Sequence, residues 1–296
     1  MGVWVDTDFG FDDLWALLLL RSYDIAIDGV SLVAGNSTLE NVTRNALGSR
    51  LAFDLEWPFY SGAASPLKRP LQTAERVLGP RGMQTRGEHL PEPPQEVLPP
   101  GESAMLGWLT ANDGPREVLA LGPLTNLAHL AINAPDAFAR IDRLVWMGGS
   151  SGQGNQTPYA EFNAHADADA VDVVAKTGVR LAIVDLVACH KATYGEKDIP
   201  TGMRAPLGDL MGGYMDIGIR RGRDWMPIYD PLAALAFAHP NVLTFEPQAL
   251  SVDTSSAETY GQTSFEPPDE SHISLATGVA SEAASLCVDA LATVTA

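Results

Sequence analysis

Between Val5 and Asp13 the chain reads VDTDFGFDD, with four aspartates inside one short turn: Asp6, Asp8, Asp12 and Asp13. Carboxylates this close repel one another and raise each other's pKa. Several arrangements could relieve that repulsion. An EF-hand loop takes oxygen ligands at its first, third, fifth and twelfth positions, with glycine at the sixth. Counted from Asp6, the fifth position is Gly10, the sixth Phe11 and the twelfth Leu17, so that loop is excluded. Phosphoryl transfer through an aspartate also starts from a hydrophobic strand and D-x-D. It expects a small hydroxyl residue where Gly10 stands, and it leaves Asp12 and Asp13 without a role. The third chemistry is a hard cation that activates water. Asp8 and Asp13 flank one tight turn, Gly10 eases the backbone between them, and both carboxylates can converge on Ca²⁺ at about 2.3 to 2.6 Å. Capping of the helix DDLWALLLL explains one or two of the four aspartates. It leaves Asp6 and Asp8, on the strand side, unexplained.

The elements that must hold these residues follow from hydrophobic patterning. Short apolar runs alternate with amphipathic stretches: GVWV then DDLWALLLLRS, GVSLVAG then LENVTRNALGSRLAFD, EVLALG then LTNLAHLAIN, RLVWMGG then HADADAVDVVAKT, and finally VRLAIVD. Buried strands separated by helices predict an α/β fold, a single domain over 1–296 with a mostly parallel central sheet flanked by helices. Ligands of such sheets bind beyond the carboxyl ends of the strands. Polar loops follow four of the runs there: DTDFGFDD, GNSTLEN, GPLTN and GGSSGQGNQTPYAEFN. Residues 64–102, rich in Pro, Gly and Arg, are expected to form a partly ordered lid. Residues 246–296 are expected to form a hairpin and a helix packed on the same domain.

Composition narrows the function. The net charge is −18, with 37 acidic against 19 basic residues, which disfavours a phosphate backbone as partner and attracts cations. The charged residues are spread too evenly for a membrane span, and the run Leu17–Leu20 is too short for a signal sequence, so a cytoplasmic protein is expected. Cys189 and Cys287 stand far apart and read as buried free thiols.

The aspartate turn, written as Asp6-Thr7-Asp8-Phe9-Gly10-Phe11-Asp12-Asp13 with Ala16 and Leu17 following, resembles the signature of the nucleoside hydrolases. VAGNSTLENVTRNA (33–46), GPLTNLA (122–128), MGG (147–149), GNQTPYAEFN (154–163) and YDPLAA (229–234) resemble further segments of that family in family order, across essentially the whole chain. The resemblance implies Ca²⁺-dependent hydrolysis of a ribonucleoside to ribose and a free base. It implies Asp8, Asp13, Asp230 and the main-chain carbonyl of Thr125 as calcium ligands, with Asp8 also accepting the proton of the attacking water. Asp12, Asn155, Glu161 and Asn163 are implied to hold the ribose hydroxyls, with Asn36 and Phe162 near the sugar. It further implies a homodimer or homotetramer acting on a small-molecule nucleoside. The chemistry agrees, since carboxylates near the ring stabilise an oxocarbenium-like state. Asp6 is left as a support for the others.

Two departures bear on the leaving group. Where many members carry histidine before the late metal-binding aspartate, this chain has Tyr229, and the lid lacks an H-G-x-D-G-like stretch. Tyrosine, with an unperturbed pKa of about 10, is a weaker general acid than histidinium. A catalytically impaired nucleoside-binding relative and an aspartate-based phosphohydrolase are therefore the alternatives. Trp225 is a candidate for stacking on a base, and His89 reads as a solvated loop residue.

Overall fold

The computed structural model describes residues 2–111, 114–268 and 270–295. The five apolar runs form strands β1 (Val3–Thr7), β2 (Ile27–Leu32), β4 (Glu117–Ala120), β5 (Arg143–Met147) and β6 (Leu181–Val184), and a short strand outside those runs, β3 (Phe59–Ser61), joins them. Later come the short β7 (Thr193–Gly195) and β8 (Trp225–Pro227), then β9 (Leu243–Pro247), β10 (Ala249–Val252), β11 (Thr263–Glu266) and β12 (Ile273–Val279). The main sheet runs β3-β2-β1-β4-β5-β6-β12-β9 and is parallel except for β9, which runs antiparallel to β12. β1 lies between β2 and β4, where the strand order reverses direction. That is the position at which open α/β sheets bind ligands.

Alternate residues of the central strands feed two cores. Val5, Leu119, Val145 and Val184 point to one face, whereas Trp4, Val118, Leu144 and Trp146 point to the other. The first face is covered by α1 (Phe11–Ser22). The helices α2 (Leu39–Phe53), α3 (Glu75–Leu78), α4 (Gly101–Ala111), α5 (Thr125–Asn133), α6 (Pro135–Phe138), α7 (Phe162–Ala166), α8 (Ala168–Ala175) and α9 (Leu186–Cys189) follow in chain order. The last are α10 (Leu207–Arg220), α11 (Asp230–Ala238) and α12 (Ala283–Ala292). α4, α5 and α8 cover the second face. α1 is buried on every side, with Leu14 and Leu17 to Leu20 all at 0% exposure, because α11 and α12 pack on the side away from the sheet. Each such leucine contributes roughly 1.5–3 kcal/mol. The indole of Trp15 also donates to the carbonyl of Cys287 at 2.7 Å.

The structure refines three expectations. The single helix expected over HADADAVDVVAKT is broken at Asp167, whose extended backbone ends α7 and whose carboxylate caps α8 at Ala170 N. SHISLAT is no appendage: Ile273 and Leu275 are buried, and β12 joins the main sheet beside β6. Only β10 and β11 form a separate two-stranded sheet. Residues 64–102 contain α3 and the start of α4, joined by irregular chain fastened to α10, with Arg86 N donating to Asp209 O (3.0 Å) and Glu88 N to Asp209 Oδ2 (2.7 Å). Cys189 and Cys287 are buried free thiols.

Candidate active site

The four polar loops meet at the carboxyl ends of β1, β2, β4 and β5, around a cleft of about 110 Å³. Its wall includes Asp8, Asp12, Asn36, Asn155, Glu161, Phe162, Asn163, Tyr229 and Asp230. Nine of the residues singled out in the sequence therefore share one cavity.

The turn after β1 is shaped differently from the expectation. The left-handed residue is Phe9 (φ 33°), fully buried, while Gly10 has an ordinary negative φ. Phe9 is held there by its N–H on Thr7 Oγ1 (3.1 Å) and by Asn45 Nδ2 on its carbonyl (3.2 Å). Gly10 is required for space: a Cβ there would lie 2.7 Å from Asn36 Nδ2. The same holds more severely at Gly35, where a Cβ would lie 2.2 Å from Asp8 Oδ2.

Asn36 ties the aspartates together. Its backbone N–H donates to Asp8 Oδ2 (2.6 Å), and its side chain donates to Asp8 Oδ1 (3.1 Å) and Asp13 Oδ2 (3.4 Å). Asp13 also accepts from the Thr7 hydroxyl and from Gly10 N at 2.7 Å. Carboxylate oxygens of Asp12, Asp13 and Asp230 lie within 4.8 Å of one another, close enough to share a metal ion. Among the described residues, no lysine, arginine or histidine pairs with Asp8, Asp12, Asp13 or Asp230. Burial, with neighbouring carboxylates, holds Asp8 and Asp230 well above the usual carboxylate range. Burial and then Asp13 push Asp12 up to about 7. Asp6 faces away from the cleft and accepts from the Ser31 hydroxyl and from Asn126 Nδ2 (2.7 Å); burial lifts it to about 7. It braces β1 against its neighbours.

The remaining sugar-side candidates are oriented by backbone. Glu161 caps α7 and accepts from Gly149 N (2.8 Å), Asn163 N (2.9 Å) and Ala164 N (3.1 Å), yet burial still raises it to about 7. Asn163 spends its amide hydrogens on Leu121 O (2.8 Å) and Met147 O (3.0 Å), which leaves its Oδ1 to accept from a ligand hydroxyl. Asn155 Oδ1 receives the N–H of Phe162 (2.9 Å).

Thr125 is the exception. It opens α5, its hydroxyl donates to Asp167 Oδ2 (2.7 Å), and it does not line the cleft. Leu121, at the carboxyl end of β4, lines the cleft, and its carbonyl accepts from Asn163 Nδ2. Trp225 and His89 also lie outside the cleft: Trp225 packs under Arg223 and beside His190, and His89 is exposed.

Sequence reasoning missed Tyr214, Arg221, Ile217 and Met226, which line the cleft from α10 and the segment after it, and Val77 and Leu78 from α3. The Tyr214 phenol donates to Asp12 Oδ2 at 2.6 Å. No local signal marks these positions, because each is an ordinary helix or loop residue until tertiary packing aims it inward.

The sequence profile of the inosine-uridine preferring nucleoside hydrolases matches residues 3–285. The chain is 32% identical over 272 residues to the pyrimidine-specific ribonucleoside hydrolase RihA of Salmonella paratyphi A, covering 88% of this chain and 86% of that one. It is 32% identical over 265 residues to the non-specific ribonucleoside hydrolase RihC of Salmonella agona, covering 88% and 85%. A purine-preferring ribonucleoside hydrolase from Gardnerella vaginalis shares the fold with a TM-score of 0.89 at 20% identity, over 100% of this chain and 99% of that one. A plant nucleoside hydrolase does so with a TM-score of 0.87 at 24% identity, over 98% of each. The chain belongs to the nucleoside hydrolase family, and it is a hydrolase acting on N-glycosyl bonds. Among the described residues no helix is long and apolar enough to cross a membrane.

Proposed function

We propose that this protein hydrolyses a ribonucleoside to ribose and a free base, with Ca²⁺ held by Asp8, Asp13 and Asp230 and by the main-chain carbonyl of Thr125. The observation that carries this reading is the convergence of unpaired buried carboxylates and ribose-sized polar groups in one cleft. The donor set fits a hard cation, because every group offered is oxygen and none is neutralised by a protein cation. When bound, such a cation supplies the charge that offsets the carboxylates and acidifies a water.

The chain's own residues divide the remaining work. Asp12, Glu161, Asn155 and Asn163 Oδ1 bind the sugar hydroxyls, and Phe162 closes over the ring. Asp8, aimed by Asn36, accepts the proton that the attacking water loses. Positive charge building on the sugar is met by the carboxylates around it. Tyr229, at the cleft wall immediately before Asp230, donates a hydrogen bond to the departing base. Its phenol is pushed well above its ordinary range by burial, so it stays protonated at neutral pH.

A screen of purine, pyrimidine and modified nucleosides with reducing-sugar detection tests the reading. Free ribose from any of them is expected. Binding without release would favour the impaired relative instead.

A further inference from the structure

N-glycosidic cleavage separates charge. The C1′–N bond breaks with both electrons left on the base nitrogen, so the sugar becomes cationic while the base becomes anionic. The sugar end of the cleft is supplied with carboxylates. The base end must supply the opposite, and among the described cleft-lining residues no histidine is present. Besides the carboxylates, the cleft lining includes Ala74, Val77, Leu78, Ile217 and Met226, with Tyr229 and, among its residues, a single cation, Arg221.

We propose that Arg221 is a leaving-group residue, whose guanidinium carries the negative charge that builds on a carbonyl oxygen of the departing base. This rests on the nucleoside-hydrolysis reading above. The turn that closes α10 holds three arginines, and the other two are engaged: Arg220 Nη2 donates to Gln84 Oε1 (2.6 Å), and Arg223 lies over the Trp225 ring. Among the described residues the Arg221 guanidinium has no hydrogen bond or ion pair, although the chain carries 37 acidic side chains. Service to the dipole of α10 accounts for a basic residue here, but Arg220, in the last turn, already provides that. The backbone N–H of Arg221 bonds to Gly218 O (2.9 Å), fixing the root of the side chain at the cleft wall while the exposed head stays free to reach a ligand.

Chemically the fork suits the task. Guanidinium remains charged throughout the working pH range and donates two parallel hydrogen bonds to an oxygen-bearing edge. The sugar cation takes hydroxide from water, and the proton released passes through Asp8 and solvent to the base, so the sum is nucleoside plus water giving ribose plus neutral base.

The test uses the full chain with Ca²⁺ and two matched substrate pairs, uridine with 5-fluorouridine and inosine with 8-azainosine, in which the second member gives the more stable base anion. On the parent nucleoside that the wild type turns over, Arg221→Ala should lower kcat by about 30-fold, a typical charge-assisted contact. The loss should be several-fold smaller on the paired analogue, with KM changing less than kcat, and Arg221→Lys should recover part of it. Equal losses on both members, or a loss confined to KM, would overturn the proposal. Wild-type release of ribose from a nitrophenyl riboside but from none of the four nucleosides would leave the hydrolase reading standing and overturn the role of Arg221. No ribose from any substrate would remove the hydrolase reading and this proposal with it.

Discussion

The hydroxyl of Tyr214 lies 2.6 Å from Asp12 Oδ2, joining residues 202 positions apart in sequence. Asp12 sits in the first turn of α1 and Tyr214 in the middle of α10, so one hydrogen bond couples the aspartate turn to the helix that forms the opposite wall. It favours the ionised form of a carboxylate that burial and Asp13 push up to about 7. Tyr214→Phe should therefore raise the pKa governing the acid limb of kcat/KM and reduce activity at neutral pH by about 10-fold, the scale of a bond to a charged group. Asp12→Ala should cost more and raise KM as well as lower kcat. A pH-rate profile of Tyr214→Phe that overlays the wild type would show that Asp12 is oriented by something else.

Asp8→Asn separates chemistry from binding. Asparagine keeps the size and the contact with Asn36 N but gives up the proton acceptor. Turnover should fall by about 10³-fold or more, while affinity for a ribose-bearing inhibitor changes by far less. Parallel losses in both, measured by kinetics and calorimetry, would place Asp8 in sugar binding.

The cation should act on stability in a pH-dependent way. Asp12 and Glu161 are raised in the folded state to about 7, and Asp8, Asp13 and Asp230 are raised as well. A carboxyl with a raised folded pKa binds its proton more tightly when folded. Its contribution to stability is therefore greatest below the unfolded pKa and declines as pH rises toward the folded value. Metal-free protein should lose Tm between about pH 4.5 and about pH 7.5. Saturating Ca²⁺, which favours the ionised carboxylates, should give a larger gain in Tm at the upper end than at the lower, amounting to about 2.7 kcal/mol at a hundredfold excess over Kd. Thermal melts with chelator and with Ca²⁺ at both pH values check this, and a gain that is flat with pH would mean that the carboxylates are not its site.

Tyr229→Phe tests the second contact to the base. If the phenol donates to the leaving group, hydrolysis of a natural nucleoside should drop by about 10²-fold while a nitrophenyl riboside, whose leaving group needs no proton, is nearly unchanged. Equal losses on the two substrates would assign Tyr229 to packing.

Gly35→Ala probes the floor of the site. The added methyl would meet Asp8 Oδ2 at 2.2 Å and Pro123 Cδ at 2.8 Å, so one of them must move. The expected cost is about 1–3 kcal/mol in stability, with a disproportionate loss of activity because Asp8 is the group displaced. Full activity in this variant would show that Asp8 has freedom that the geometry does not suggest.

Much of this site was legible because its residues sit where apolar runs stop. Asp8, Asn36, Glu161 and Asn163 all lie within loops that follow buried strands, and the parallel topology brings those ends together. The strands were legible because Val, Leu, Ile and Trp buried on both faces leave an unbroken hydrophobic run. Thr125 is harder to place from sequence because the loop GPLTN spans both the strand end and the first helical residue of α5. Gly10 invited a dihedral explanation, whereas the strain sits on Phe9 and the glycine answers to the bulk of Asn36. Tyr214 and Arg221 were invisible because they approach from α10 and the residue that ends it, in a stretch whose sequence is that of any amphipathic helix.

The enclosure of α1 has a consequence for how the protein is made. The helix carrying Asp12 and Asp13 leaves the ribosome more than 200 residues ahead of α11 and α12, which cover its outer side. Until then a leucine-rich surface stands open on the nascent chain, and the carboxylates at its tip lack Asp230. Partly made chains of this kind expose apolar surface and are prone to associate. Closure of the aspartate cluster thus waits for the synthesis of α11 and α12, so truncated chains ending before α11 would be both inactive and substrates for chaperones or proteases.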